Sequence, residues 1–206
     1  MLRRVLSAIA SSPALYDAVQ WLFGNRQLQA RLAVPLARLP PGAWLIDVGG
    51  GTGRLSEANT EYVCLDLDPE KLRRFRRHAP RGRAVVGDAT HCPLLTQSVD
   101  AALCAKVTHH LDDQQLIAMF AELARILRPA GTLILADAVQ STRWGARLLW
   151  QVDRGAHPRG ESAIERALRS AFVVTSAERF RIGPFHDFVL YIAAPSTASR
   201  RVRQPD

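Results

Sequence analysis

The spacing of apolar residues changes twice along this chain, and each change marks a different kind of element. Over residues 1–39 apolar positions recur at helical spacing: Leu15, Val19, Leu22, Phe23, then Leu28, Leu32 and Leu36. Gly24-Asn25 reads as a break between two helices, and Pro40-Pro41-Gly42 closes the segment. From there, short apolar runs alternate with amphipathic stretches. Ala43-Trp44-Leu45-Ile46, Tyr62–Leu67, Arg83–Gly87, Val99–Ala105 and Thr132–Ala136 read as strands. Between them lie two predicted helices. Pro69–His78 is opened by Asp68 as N-cap with Pro69 in the first helical position, and Asp112–Leu127 is ended by Arg128-Pro129. The pattern then changes again. A helix at about Ser162–Ser170 precedes two strand-like runs, Phe172–Phe180 and Phe188–Ala194, joined by the short Gly183-Pro184 loop.

Strands alternating with helices predict an α/β, doubly wound, mostly parallel sheet. With the C-terminal hairpin added, the expectation is seven strands, one of them antiparallel, in a Rossmann-like arrangement. The expected organisation is an N-terminal helical lid over 1–39, one main domain over 40–194, and a polar, disordered tail over 195–206.

The first strand breaks into Asp47-Val48-Gly49-Gly50-Gly51-Thr52-Gly53. Glycines there permit positive φ and let a ligand approach the backbone. A dinucleotide fingerprint needs a third glycine three places after the second. That place is Arg54 or Ser56, depending on register, so the dinucleotide spelling fails. The acid precedes the glycines, and a second acid, Asp66, closes the next strand 13 residues after the last glycine. Only Arg54–Leu65 lies between, so the intervening helix is expected to be short, ending at Asn59-Thr60. Asp66 is placed to accept hydrogen bonds from ribose hydroxyls, as acids at this position do in nucleotide folds. A third acid, Asp88, follows the third strand.

The acid-x-Gly-x-Gly-x-Gly order, with these acids at successive strand ends, resembles the class I S-adenosylmethionine (SAM) methyltransferases. The segments Ser98–Asp113 and Glu122–Asp137 resemble that family's later strands, with Ala130 where glycine is commoner. Residues 43–137 are most similar to its small-molecule branch, which includes quinone-biosynthesis methyltransferases. The resemblance implies SAM as cofactor and a cofactor-binding set of Asp47, Gly49, Gly50, Gly51, Gly53, Asp66, Leu67, Asp88, Ala89, Cys104 and Ala105. In it Asp66 holds the ribose, Leu67 packs on the adenine face, and Asp88 with Ala89 meets the adenine edge. Asp68 reads better as the helix cap. SAM carries a sulfonium and an ammonium and no pyrophosphate, so carboxylates near the turn suit it.

Methyl transfer from a sulfonium needs mainly positioning and desolvation, with a general base only when the acceptor arrives protonated. Candidate catalytic residues at the carboxyl ends of strands are His109, His110 and Asp137. His110 reads as a loop histidine packed under the cofactor, and His109 is less determined. Candidate substrate contacts are Tyr16 and Gln20, on one helix face at i, i+4 spacing, then Lys106, Arg154, His157 and Arg159. The last three suit a carboxylate or phosphate, or else form a surface-charged loop.

Composition narrows the partners. The chain has 206 residues, a net charge of +8 and a pI of about 10.4, with arginine supplying nearly all cations. That uniform arginine use reads as coding bias, and the run from Arg73 to Arg83 as a solvated face, so nucleic acid is an unlikely partner. Cys64, Cys92 and Cys104 form no C-x-x-C pair, which indicates a reducing compartment and no disulfide framework. Metal-ligand spacing is absent, and His91-Cys92 with His109-His110 is a weak candidate. No apolar stretch reaches the ~20 residues of a membrane span. A cytoplasmic enzyme methylating a small molecule is the expectation. A methyltransferase acting on RNA or protein, and a SAM-binding protein without catalysis, are the alternatives. The acceptor, the atom methylated and the oligomeric state are not legible.

Overall fold

The computed structural model describes residues 25–53, 60–140, 157–182 and 186–196. Tyr16, Gln20, Arg154, the first of the two N-terminal helices, the short helix after the glycine turn and the Gly183-Pro184 loop lie outside the described residues.

Seven strands form one sheet: β1 (Trp44–Val48), β2 (Glu61–Asp66), β3 (Arg83–Val86), β4 (Val99–Ala105), β5 (Leu127–Val139), β6 (Phe172–Ile182) and β7 (His186–Pro195). Their order is β3-β2-β1-β4-β5-β7-β6. Pairing is parallel from β3 through β5, and β7 runs antiparallel to both β5 and β6. The expected doubly wound sheet with one antiparallel strand is the architecture found. The order reverses at β1, whose neighbours are β2 and β4. A crevice therefore opens at the carboxyl ends of those strands, where ligands bind in such sheets.

Four helices are described: α1 (Asn25–Leu36), α2 (Pro69–His78), α3 (Asp113–Ile126) and α4 (Glu161–Leu168). α2 begins where Asp68 accepts hydrogen bonds from the Glu70 and Lys71 N–H groups, with Pro69 in the first turn. α3 opens on a capping box in which the Asp112 side chain accepts from the Gln115 N–H and the Gln115 side chain accepts from the Asp112 N–H. It turns Leu116, Met119, Phe120, Leu123 and Ile126 into the core, each contributing roughly 1.5–3 kcal/mol by burial.

The sheet carries a hydrophobic core on each face. α3 and α4 cover one, with Phe120 set edge-on to Phe172 at 6.3 Å. α1 and α2 cover the other. Leu28, Leu32 and Leu36 of α1 are buried there beside Ile134, Phe180 and Leu190, so this part of residues 1–39 is core helix.

Two boundaries differ from the sequence reading. β5 begins at Leu127, five residues early, because Leu127 pairs with Val99 before a register shift. At the other end, Pro195 completes β7, and the Ser196 N–H donates to the Ala171 carbonyl, so the tail starts later than 195.

Candidate functional site

The crevice is built around the turn after β1. Gly49, Gly51 and Gly53 have φ of +67°, +57° and +67°, the left-handed region that costs other residues most. Gly49 and Gly50 both donate N–H to the Leu65 carbonyl, at 2.8 and 3.3 Å, which ties the turn to β2. A Cβ on Gly49 would lie 2.6 Å from Val107, and one on Gly50 2.6 Å from Asp47 Oδ2. One on Gly53 would lie 2.0 Å from the Phe75 ring. The glycines are therefore required by conformation and by the side chains wedged beneath them.

Asp47 sits under this turn. It is 2 % exposed, and its Oδ2 accepts a hydrogen bond from the Tyr62 hydroxyl. Burial pushes its carboxyl up to about 7, against the Tyr62 hydrogen bond, with nearby Asp66 adding to the rise. Burial and the Asp47 charge raise the Cys64 thiol to about 12 and lift the Tyr62 hydroxyl and the Cys104 thiol as well. Tyr62 is missing from the sequence expectation. It shares a sheet face with Cys64, the partner of Asp47, a relation visible only once the β1–β2 register is known.

Asp66 closes β2 from the opposite side of the turn. Its Oδ2 accepts from the Gly51 N–H at 2.9 Å and its Oδ1 from the Asp68 N–H at 2.8 Å. The carboxylate is thereby aimed by two backbone donors. Leu67, next along, is 68 % exposed, between the buried Asp66 and the helix-capping Asp68. Asp88 caps a 3-10 turn over Ala89–His91 by accepting from the Thr90 N–H at 2.8 Å. It is exposed, and Ala89 is half-buried. The Gly87 N–H donates to the Asp66 carbonyl at 3.2 Å, which holds these two strand ends together. Cys104 is fully buried, and Ala105 is half-buried at the strand end.

The ends of β4 and β5 bring together a second group. Lys106 is exposed with φ +61°, a conformation uncommon for a residue with a side chain. Ala105 pairs with Ala136, so the chain following β4 meets Asp137. His109 Nδ1 lies 2.8 Å from Asp137 Oδ1, with His109 7 % exposed and Asp137 fully buried. Asp137 also accepts from the Thr108 N–H at 2.6 Å and the Ala138 N–H at 2.8 Å. With both oxygens accepting from backbone donors, the carboxylate takes the imidazole N–H as a further donor and fixes the ring. His110 is exposed and its ring lies 4.1 Å from that of His109, centroid to centroid. Of the two histidines, His109 is the buried one and the one held by Asp137.

Arg159 is a brace, not an open anion site. Its Nε and Nη2 donate to Asp113 Oδ1 at 2.8 and 2.6 Å, and Nη1 donates to the Thr108 carbonyl at 2.8 Å and the His157 carbonyl at 3.2 Å. The His157 N–H donates to the His109 carbonyl at 3.0 Å, and the Gln140 N–H to the Arg159 carbonyl at 2.8 Å. One buried guanidinium thus joins the start of α3, the 3-10 turn over Thr108–His110 and the segment leading into α4. Thr108 and Asp113, its partners, carry no sequence signal, since they meet Arg159 only through the fold. Arg159→Ala is expected to cost about 2 kcal/mol, the sum of lost charge-assisted bonds at a half-exposed pair. It should also shift the His109 ring resonances in a nitrogen-correlated NMR spectrum; unmoved resonances would show that the brace does not reach His109.

Among the described residues no group of three or more His, Cys, Asp or Glu side chains is placed to hold a metal ion. None of the described helices is long and apolar enough to cross a membrane.

Residues 46–135 match the family described as "Methyltransferase domain". An uncharacterized methyltransferase of Mycobacterium tuberculosis is 37% identical over 105 residues, 49% of this chain and 42% of that protein. A malonyl-[acyl-carrier protein] O-methyltransferase of Methylococcus capsulatus is 30% identical over 169 residues, 75% of this chain and 60% of that protein. A demethylmenaquinone methyltransferase of Renibacterium salmoninarum is 30% identical over 118 residues, 55% of this chain and 49% of that protein. The chain spans less than half the length of the mycobacterial relatives it matches. Among solved structures, a TehB-like SAM-dependent methyltransferase from Corynebacterium glutamicum superposes with a TM-score of 0.64 at 19% identity, covering 90% of this chain and all of that one. At that identity the likeness concerns the fold.

Proposed function

As a chain whose residues 46–135 belong to the methyltransferase-domain family, this protein, we propose, binds SAM at the glycine turn and transfers its methyl group to a small organic acceptor. The observation that carries the reading is the turn itself, three left-handed glycines held between Asp47 beneath and Asp66 beside, with the Gly51 N–H on the Asp66 carboxylate. These residues fit the cofactor. Asp66 has two aimed oxygens with lone pairs left for ribose hydroxyls. Leu67 offers an exposed apolar side chain for a purine face, and Asp88 an exposed acceptor at the next strand end. When bound, SAM supplies an activated methyl group on a sulfonium.

The chain's own part is orientation, exclusion of water and handling of a proton. His109, held at Nδ1 by Asp137, is the candidate base for an acceptor that arrives protonated. Lys106 brings a cation to the same end of the sheet, and His110 and His157 add ring N–H donors beside it, which favours an acceptor bearing an acid or phosphate. Of the relatives named above, one methylates a malonyl group on its carrier protein and another demethylmenaquinone, so the similar proteins include both a carboxylate-bearing and a quinone acceptor.

Calorimetry with SAM and with its demethylated product, S-adenosylhomocysteine, tests the cofactor. Binding of both is expected, and no heat from either at millimolar ligand would sink the reading. Asp66→Ala should weaken both by about 100-fold, since each hydrogen bond to a charged group is worth roughly 1.5–3 kcal/mol. An unchanged affinity would place the ribose elsewhere.

A further inference from the structure

Among the described residues basic charge is densest over residues 69–83, which hold seven cations against a single acid, Glu70, a net of +6. On α2 the apolar residues Leu72 and Phe75 turn into the core, and from Lys71 to His78 every exposed position is basic: Lys71, Arg73, Arg74, Arg76, Arg77 and His78. Arg81 and Arg83 extend the face to the start of β3, an edge strand.

Several arginines elsewhere are paired closely with acids. Arg125 pairs with Glu122, Arg128 with Asp100, Arg169 with Glu165 and Arg31 with Glu178. On the basic face the ion pairs among described residues are Arg73–Glu70 at 3.7 Å and Arg83–Glu61 at 3.8 Å, both between exposed side chains. Like charges at i, i+3 and i, i+4, as in Arg73–Arg76, Arg73–Arg77 and Arg74–Arg77, weaken a helix. Coding bias distributes arginine; it does not strip the acids from one helix.

We propose that α2 and the turn after it dock this protein on an anionic lipid bilayer. Clusters of four to eight cations on an amphipathic helix are attracted to anionic lipid without any apolar insertion. The composition of the face fits a planar charged surface better than nucleic acid. It presents no exposed Phe, Tyr or Trp as a platform for successive bases, whereas an anionic bilayer surface asks only for the charge. The first turn of α2 follows Asp66 directly, so docking places that end of the crevice near the lipid, and an acceptor dissolved in the bilayer reaches it without crossing water. This consequence rests on the methyl-transfer reading; the docking does not.

The test is co-sedimentation with vesicles of phosphatidylcholine alone and with about 30% phosphatidylglycerol, from low to physiological salt. The same salt series is run with a mixed-sequence RNA. Binding only to the anionic vesicles, weakening with salt, is expected. R73Q/R74Q/R76Q/R77Q should lower the partition coefficient at least 100-fold, since each cation is worth about fivefold, while S-adenosylhomocysteine affinity and the circular dichroism spectrum stay unchanged. No vesicle binding by the unmodified protein at low salt, tighter binding to RNA than to vesicles at equal salt, or vesicle binding that survives the four substitutions would overturn the proposal. Vesicle binding together with failure to bind S-adenosylhomocysteine would instead overturn the methyl-transfer reading and leave the docking standing.

Discussion

Gly53→Ala is expected to lower unfolding stability by about 4 kcal/mol, enough to unfold a marginal domain of this size. Two penalties combine. At φ +67° a side chain costs about 1–2 kcal/mol, and the new Cβ would lie 2.0 Å from the buried Phe75 ring, an overpacking worth about 1–3 kcal/mol. Phe75 has little room to yield, because Gly82 packs the ring from another side, where a Cβ would lie 2.4 Å away, and Tyr62 faces it at 5.7 Å. Gly42 provides the control. It has φ +76° but nothing within 4 Å of its Cβ position, so Gly42→Ala should cost only about 1 kcal/mol. Urea unfolding of both variants separates conformation from packing. The double variant G53A/F75A should lose less than the two single losses combined. Equal costs at Gly42 and Gly53, or full additivity with Phe75→Ala, would show that the turn does not rest on that ring.

The same residues show how far a sequence can be read. α2 and β4 have the predicted limits because each is local: a cap and a proline start α2, and an apolar run bounded by polar residues delimits β4. β5 was short in the sequence reading because its early pairing, Leu127 with Val99, is set by a neighbouring strand and not by its own Arg128-Pro129-Ala130-Gly131. The glycine turn and the acids at strand ends were legible as a spaced pattern. Their supports were not. Tyr62 beneath Asp47, Phe75 beneath Gly53 and Asp113 on Arg159 are long-range contacts between ordinary residues, with no spacing to announce them. The run of cations from Arg73 to Arg83 was legible in the sequence, whereas the basic face it forms on α2 follows from the burial of Leu72 and Phe75 on the other side of the helix.

The unmodified protein is expected to be most stable in mild acid and to lose about 2–4 kcal/mol between pH 5 and pH 8 through Asp47 alone. The carboxyl has an ordinary value near 3.8 when unfolded and is raised to about 7 in the fold, chiefly by burial. Between those values the native state holds a proton that the unfolded state has released, so stability falls as pH rises through 7. The two pH units from 5 to 7, at about 1.4 kcal/mol each, account for about 3 kcal/mol, and above pH 7 the slope levels off. Asp47→Asn keeps an acceptor for the Tyr62 hydroxyl and removes the titration. Its unfolding free energy should be flatter across this range and should exceed that of the unmodified protein at pH 8. A steep slope retained in Asp47→Asn would show that Asp47 is not the group whose titration sets it. The proton also reports on the ligand. Gly50 lies directly over Asp47 Oδ2, so a cationic ligand seated on the turn favours the ionised carboxylate and lowers its pKa. Binding SAM near pH 6.5 should therefore release a fraction of a proton, measured as a dependence of calorimetric heat on buffer ionisation enthalpy. S-adenosylhomocysteine, without the sulfonium, should release less, and Asp47→Asn none. Equal release from all three pairings would mean that the cofactor's charge is not felt beneath the turn.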